Sequence, residues 1–168
     1  MPSDRITVTQ IGEFVRHHGC ERRLRLEHDG RAEAQSLPQI TRLFSPLDPV
    51  LQEAGRQRED GWEQQLVNAG LAPLFPQGRP DRDEDRSWTE FLRRADEIGE
   101  GQAAYAREVE VTGRIGAFEV TGRIDFVLVL WQDGRPRLCL VEAKASRKDQ
   151  TYHRVQVATY QLLVRGLL

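Results

Sequence analysis

Cysteine is scarce in this chain, and so are long apolar runs. The two cysteines, Cys20 and Cys139, lie far apart, and neither has a cysteine or histidine neighbour at a ligand spacing. This excludes a disulfide framework and a complete zinc site. No stretch approaches the roughly 20 apolar residues of a spanning helix, and the opening MPSDRITVTQ lacks the basic start and apolar run of a secretory signal. We therefore expect a cytoplasmic protein with reduced thiols and no membrane partner.

Basic charge is not in excess either, because the 168 residues carry a formal net charge of −2. Domains that bind nucleic acids are often strongly basic, so the net charge argues weakly against that class. Its distribution is uneven, since the middle of the chain is rich in acids whereas seven Lys and Arg follow Gly134. The length suits a single domain over residues 1–168, either as a whole protein or as the N-terminal part of a longer chain.

Capping residues and apolar spacing predict helices in the first half of the chain. Thr9 and Gly19 suit the start and the stop of a helix over QIGEFVRHH, and CERRLRLEH predicts a second helix. Asp48 followed by Pro49 starts a third, longer helix, which ends at Gly70.

The long helix carries a carboxylate where an apolar residue is expected. Glu59 falls on the predicted apolar stripe of this helix, which consists of Leu51, Gly55, Trp62 and Leu66. A charged group on a buried face is costly unless it has a partner. Glu59 is therefore a candidate functional residue.

The second half of the chain changes from helical to strand spacing. Residues 76–87 predict a surface loop and TEFLRRADEI a short helix, after which residues 105–145 are dense in Val, Ile, Phe and Leu. Asp133-Gly134 is a strong hairpin signal, so three or four antiparallel strands are expected. Helical spacing returns after Asp149, a candidate N-cap.

The hairpin brings two carboxylates together. Asp125 and Glu142 are equally far from a turn centred on Asp133-Gly134, so they lie directly opposite each other on one face. Like charges at that spacing repel, and a divalent cation resolves the conflict. Lys144 points to the same face as Glu142. The alternative is that Glu142 and Lys144 form an ion pair at the edge of an ordinary α/β domain.

The spacing of these residues resembles that of the PD-(D/E)xK nuclease superfamily. VTGRIDFVLVL is similar to the strand that leads into the family's metal-binding aspartate, and LVEAKAS is similar to its third motif. The resemblance implies an α/β fold with a restriction-endonuclease-like core, in which a mixed central sheet with an antiparallel hairpin is flanked by helices on both faces. It also implies catalytic roles for Asp125, Glu142 and Lys144, with Lys144 orienting or activating the attacking water.

The last helix resembles that of the RecB-like branch, which has a Q-xxx-Y motif and includes CRISPR-adaptation exonucleases and nuclease domains of recombination helicases. Gln156 and Tyr160 stand four residues apart in QVATY and share one face of the helix. The resemblance implies that they contact DNA together with His153, Arg147 and Lys148. An amphipathic helix with a packed tyrosine and a solvated glutamine is the alternative.

The same branch often takes a further metal ligand from a helix, in a G…HE pattern. GRQREDGW supplies Gly55 and Glu59, with Arg58 where the histidine would stand. The resemblance implies a site for Mg²⁺ or Mn²⁺ whose ligands are Glu59, Asp125, Glu142 and the backbone carbonyl of Ala143.

Iron–sulfur members of this branch begin in a similar way, and Cys20 would match their first cluster cysteine. The chain supplies no match for the other three, and Cys139 lies on a predicted strand. No iron–sulfur cluster is therefore expected.

Together these features predict a metal-dependent deoxyribonuclease, a hydrolase acting on phosphodiester bonds of single-stranded or duplex DNA ends. An exonuclease of DNA repair or of antiphage or CRISPR-type defence is the expected context. The alternative is a catalytically degenerate domain of the same fold that binds DNA or serves as a scaffold, which Arg58 and the acidic middle favour. The apolar ending predicts that Leu167 and Leu168 pack on this domain, on a partner protein or on a following segment.

Overall fold

The computed structural model describes residues 5–25, 49–81, 83–143 and 150–168, and it contains a five-stranded mixed sheet with helices on both faces. The strands are β1 (Arg5–Thr7), β2 (Ala72–Pro73), β3 (Ala103–Ile115), β4 (Phe118–Gln132) and β5 (Arg135–Val141). The helices are α1 (Val8–Arg16), α2 (Pro49–Asn68), α3 (Trp88–Ala95) and α4 (Thr151–Leu167), and residues 21–25 are helical as well. In these ranges no helix is both long and apolar enough to cross a membrane.

Strand β4 is the centre of the sheet, because three other strands pair with it directly. Along one edge it forms an antiparallel ladder with β3, which in turn pairs with the short β2. Along the other edge, β1 pairs in parallel with residues 119–121, and β5 pairs antiparallel with residues 126–132. Two strands thus share one edge of β4, and residues 122–125 lie between them.

The two long strands are distorted at one common level. Core side chains of a regular strand are separated by one residue, but in β3 two residues separate Ala106 from Val109. The residues of β4 that pair with these two are also separated by two residues. The ladder skips Glu108 and Asp125, although the register on either side is unchanged. Glu108 has a φ of +54°, which is uncommon for a residue other than glycine. The regular sheet is therefore interrupted beside Asp125.

The two faces of the sheet carry different cores. Helices α1, α3 and α4 cover one face, and Val8, Phe91 and Leu163 are buried there. Helix α2 covers the other face, where Leu66 packs with Tyr105 and Phe126. Among the side chains of α2 that the structure describes, Leu66 is the single fully buried apolar one. This helix therefore needs polar contacts to stay on the sheet.

Gly122 on β4 allows helix α4 to approach the sheet closely. A Cβ atom at this position would lie 2.7 Å from the ring carbon Cε1 of Tyr160 and 2.8 Å from Cγ2 of Val8. Real Cβ atoms do not approach other atoms so closely, because interiors are already close-packed. Only glycine fits here while Tyr160 and Val8 keep their positions.

Helices α1 and α4 continue this contact as an antiparallel seam. A Cβ atom on Gly12 of α1 would lie 2.8 Å from Nε2 of Gln156, so these two residues also touch. One turn further, the guanidinium of Arg16 lies 5.4 Å from the centroid of the Tyr152 ring. Residues four apart share one face of a helix. The seam therefore runs in four-residue steps along both helices, starting where Val8 and Tyr160 meet at Gly122.

The predicted fold class, hairpin and strand register are confirmed. Asp133 and Gly134 form a two-residue turn, each with a positive φ, and every pair of the β4–β5 ladder has the predicted register. Gly19 and Gly70 also have positive φ just beyond the ends of α1 and α2, as expected for helix stops. The short strands β1 and β2 were not predicted.

Some helix boundaries differ from the prediction. Helix α1 begins at Val8 rather than after Thr9, because Thr7 and Gln10 form a reciprocal capping box. The N-cap of α4 is Gln150. The predicted caps Asp48 and Asp149, and the second helix beyond Arg25, lie outside the described residues.

The predicted apolar stripe of α2 is confirmed at Leu66, which is buried, but wrong at Trp62, which is 36% exposed. Glu63 lies on the buried side of the helix in its place. At the other end of the chain, Leu167 and Leu168 are not buried by the described residues. Packing on this part of the domain is therefore not the role of these leucines.

The close approach at Gly122 gives a stability prediction. We expect Gly122→Ala to lower the free energy of unfolding by about 1–3 kcal/mol, the usual cost of overpacking. The control is Gly61→Ala in α2, where a Cβ atom meets nothing within 4 Å, and which should gain up to about 1 kcal/mol from helix propensity. Urea unfolding measures both; equal stabilisation by the two changes would contradict the close packing.

Candidate functional site

The predicted acidic pair lies where β5 leaves β4. The last pair of the ladder is Phe126 with Val141, and the next pair in the same register is Asp125 with Glu142. At this point the backbone N–H of Ala143 donates a hydrogen bond of 2.7 Å to Oδ2 of Asp125. A side chain of β4 thus replaces the backbone acceptor of a regular ladder. The confirmed register therefore leads up to Asp125 and Glu142 at the end of the hairpin, and their predicted role as a site remains a prediction.

Tyr160 lies beside this pair. Its hydroxyl donates a hydrogen bond of 2.8 Å to the backbone carbonyl of Arg123. Burial raises the pKa of Tyr160, and the nearby charges of Glu142 and Asp125 raise it further. Because both carboxylates act on this hydroxyl, helix α4 and the end of the hairpin border the same small region.

The donor atoms of this region fit a hard divalent cation. The charges of Asp125 and Glu142 both act on the Tyr160 hydroxyl next to the level where the sheet is distorted, and Oε2 of Glu142 is shielded from solvent. Oxygen ligands of this kind are those that Mg²⁺ and Mn²⁺ prefer. Among the described residues, however, no group of three or more His, Cys, Asp or Glu side chains is arranged to hold a metal ion. Glu59 therefore does not join the pair there.

Glu59 instead belongs to a buried ion cluster centred on Arg107. Arg107 is 2% exposed, and its guanidinium donates to Glu59 at 3.1 Å, Asp60 at 2.7 Å and Glu63 at 2.8 Å. Burial alone would lower the pKa of Arg107, but the hydrogen bonds that it donates to these three carboxylates outweigh this effect and raise the pKa. This cluster connects three side chains of α2 to β3, and sequence reasoning did not find it.

The neighbouring loop is tied to the same cluster. Glu63 accepts hydrogen bonds from the Tyr105 hydroxyl at 3.1 Å and from the backbone N–H of Gly78 at 3.0 Å. Arg86, 3% exposed, donates to the backbone carbonyls of Arg107 at 2.7 Å and Pro76 at 2.9 Å. Residues 76–81 and 83–87 have the predicted loop character, and the buried Arg86 anchors them to β3.

Ion pairs continue from the cluster towards the distorted level of the sheet. Arg79 lies 3.5 Å from Glu59 and 3.8 Å from Glu108. Glu108 also pairs with Arg123 at 3.0 Å, and Arg123 pairs with Glu110 at 2.6 Å. This chain of charges leads from α2 to Glu108, the residue that stands level with Asp125.

The predicted DNA-binding residues have different environments. Gln156 and Tyr160 are 7% and 4% exposed and pack against Gly12 and Gly122, so their observed role is to place α4. His153 is half-buried on the first turn of α4. The DNA contacts of these three residues remain predictions.

Part of the predicted site lies outside the described residues. This applies to the predicted catalytic Lys144 and to the predicted DNA contacts Arg147 and Lys148. The predicted role of the Ala143 carbonyl as a metal ligand also remains a prediction. Cys20 and Cys139 are exposed, with free thiols.

One comparison with known proteins gives a match. A family model described as the PD-(D/E)XK nuclease superfamily matches residues 13–167, a range that contains Glu59, Asp125, Glu142 and Lys144. No curated protein and no solved structure matches the chain.

The buried cluster gives a second stability prediction. We expect Arg107→Leu to destabilise the protein by about 3–5 kcal/mol, because it leaves the buried carboxylate of Glu63 without its counter-charge. The matched control is Arg93→Leu, whose ion pairs lie on an exposed helix face and which should leave the unfolding midpoint nearly unchanged. Chemical denaturation at neutral pH compares the two. A similar, small effect of both changes would show that Arg107 does not hold α2.

Proposed function

The chain belongs to the PD-(D/E)XK nuclease superfamily, and on this basis we propose that it is a Mg²⁺- or Mn²⁺-dependent deoxyribonuclease centred on Asp125 and Glu142. The observation that carries the proposal is the hairpin register, which brings these carboxylates to one level beside Tyr160. A fold would rarely place like charges opposite each other for stability. Binding of a cation and a phosphate explains the arrangement.

In this mechanism, Asp125 and Glu142 would hold the cation and thereby define the position of the scissile phosphate. The ion would stabilise the negative charge that develops on the phosphate and acidify the attacking water. Lys144 would orient that water or neutralise the phosphate. Asp125 is held by the Ala143 N–H, which fixes the carboxylate before substrate arrives.

Membership of the RecB-like branch is part of the proposal, and so is an exonuclease role in DNA repair or antiphage defence. Two features support the branch. Gln156 and Tyr160 have its motif spacing, and Tyr160 lies beside the acidic pair. Arg147, Lys148 and His153, which flank or begin the same helix, would contact the DNA backbone.

A second candidate function is a catalytically degenerate domain that binds DNA or acts as a scaffold. The observation in its favour is that Arg107 and Arg79 pair with Glu59, which the sequence predicted as a third ligand. Isothermal calorimetry with Mn²⁺ separates the two functions. Binding that is lost in Glu142→Gln supports the nuclease, whereas no binding together with no cleavage supports the degenerate domain.

Cleavage assays test the acidic pair directly. We expect the protein to degrade end-labelled linear DNA in Mg²⁺ or Mn²⁺. Asp125→Asn and Glu142→Gln should lower the rate of cleavage by more than about a hundredfold, because loss of a residue that merely contacts a metal ligand already lowers activity about ten- to hundredfold. Glu119→Gln, at the exposed start of β4, is the control and should cleave normally. Circular DNA included in parallel separates exonuclease from endonuclease action. Wild-type rates in Glu142→Gln would refute the assignment.

The role of Glu59 requires a comparison with Glu63, because both carboxylates pair with Arg107. If Glu59 is a ligand, we expect Glu59→Gln to weaken Mn²⁺ binding about tenfold or more, whereas Glu63→Gln should reduce stability and leave the Mn²⁺ affinity unchanged. Calorimetry and urea unfolding of both variants give the answer. Loss of stability without loss of Mn²⁺ affinity in Glu59→Gln would make Glu59 a purely structural residue.

A further inference from the structure

A cleft opens at the far end of the seam between α1 and α4. We call it the α1–α4 cleft. Its lining comes from the end of α1 with the turn that follows and from the start of α4, and it consists of Val15, Arg16, His18, Gln150, Thr151 and Tyr152. None of these residues belongs to the acidic pair or to the Arg107 cluster. The cleft is thus a separate feature that borders the same helix as the proposed active site.

The cleft contains the aromatic ring of Tyr152, on which a base could stack. Tyr152 is half-buried, and the guanidinium of Arg16 lies 5.4 Å from its ring centroid. The ring of His153 meets it edge-on at 4.2 Å. Aromatic rings supported by arginine are the usual platforms for unpaired bases, because every base has a π-face. A single-stranded nucleotide is therefore the ligand class that this ring suits.

Arginines are frequent at the end of α1 that lines the cleft and just after it. Arg16 and His18 line the cleft, and the helical residues 21–25, which follow in sequence, add Arg22, Arg23 and Arg25. Among the described residues 13–25, the acids are Glu13, which pairs with Arg16 at 3.1 Å and His17 at 3.2 Å, and Glu21. The four arginines of this stretch outnumber these two acids, although the whole chain carries −2. Such a local excess attracts phosphates.

The seam connects the cleft to the acidic pair. Tyr152 and Tyr160 lie on one face of α4, eight residues apart, which corresponds to about 12 Å along the helix. Tyr160 borders Asp125 and Glu142. A strand held at the acidic pair therefore needs to extend only about two helical turns to reach Tyr152.

We propose that the α1–α4 cleft binds an unpaired nucleotide of the substrate strand, with its base stacked on Tyr152 and its phosphate near Arg16 and His18. The proposal rests on the proposed nuclease function and extends it, because it assigns the substrate a single-stranded segment next to the cleavage site. Tyr152, Arg16 and His18 would then act in binding and not in the chemical step.

Binding to a short single-stranded DNA oligonucleotide tests the proposal in a buffer without divalent ions, so that nothing is cleaved. Fluorescence anisotropy should show that Tyr152→Leu weakens binding about tenfold, while Tyr152→Phe keeps the ring and binds normally. Arg16→Gln should weaken binding and reduce the dependence of affinity on salt. Arg165→Gln, on the exposed last turn of α4, is the control and should bind like the wild type.

A 2-aminopurine base in the same oligonucleotide reports stacking itself. Its fluorescence should be quenched by the wild type and by Tyr152→Phe, but not by Tyr152→Leu. Equal affinity and equal quenching in wild type and Tyr152→Leu would overturn the cleft assignment, whatever the protein cleaves. Conversely, Tyr152-dependent binding without cleavage in Mg²⁺ or Mn²⁺ would overturn the proposed nuclease activity alone. Thermal melts of each variant confirm that the fold is kept.

Discussion

The organising constraint of this fold is that two strands share one edge of β4. A strand edge has one row of backbone donors and acceptors, and β1 and β5 use its two ends. Residues 122–125, which lie between these two strands, make side-chain hydrogen bonds instead. The Tyr160 hydroxyl donates to the Arg123 carbonyl, and the Asp125 carboxylate accepts from the N–H of Ala143. Buried backbone groups require such partners. The stretch of β4 that pairs with neither β1 nor β5 is therefore the place where an aspartate, a glutamate and a tyrosine lie close together.

The helices on the two faces of the sheet are attached by different kinds of interaction. On the face of α1, α3 and α4, apolar packing is dense and glycines allow close approach, so positions are set by shape. On the face of α2, a buried arginine and three carboxylates join the helix to the sheet beside a small apolar cluster. Charged clusters of this kind contribute less net stability than their number suggests, because each ion loses its hydration. Their directional bonds do fix how α2 is rotated on the sheet, and with it where Glu59 points.

Local patterns explain why the hairpin and most helices could be predicted. The Asp133-Gly134 turn and strand alternation are short-range signals, and they were enough to place Asp125 opposite Glu142. The partner of Glu59 was not predictable in this way, because Arg107 lies 48 residues away and a buried arginine on a strand has no pattern of its own. The burial of Gln156 depends on Gly12, which is far more distant in sequence and close only in the folded chain. The strands β1 and β2 span three and two residues, too few for any periodicity.

The two-residue turn between β4 and β5 also limits how this hairpin can change its length. Successive side chains on a strand point to opposite faces, so inserting a single residue on one side of the turn would move Glu142 out of its place opposite Asp125 and turn it to the other face. Inserting one residue on each side would preserve the pairing. Relatives that keep this acidic pair should therefore differ in hairpin length by even numbers of residues, with the extra pairs added at the exposed tip.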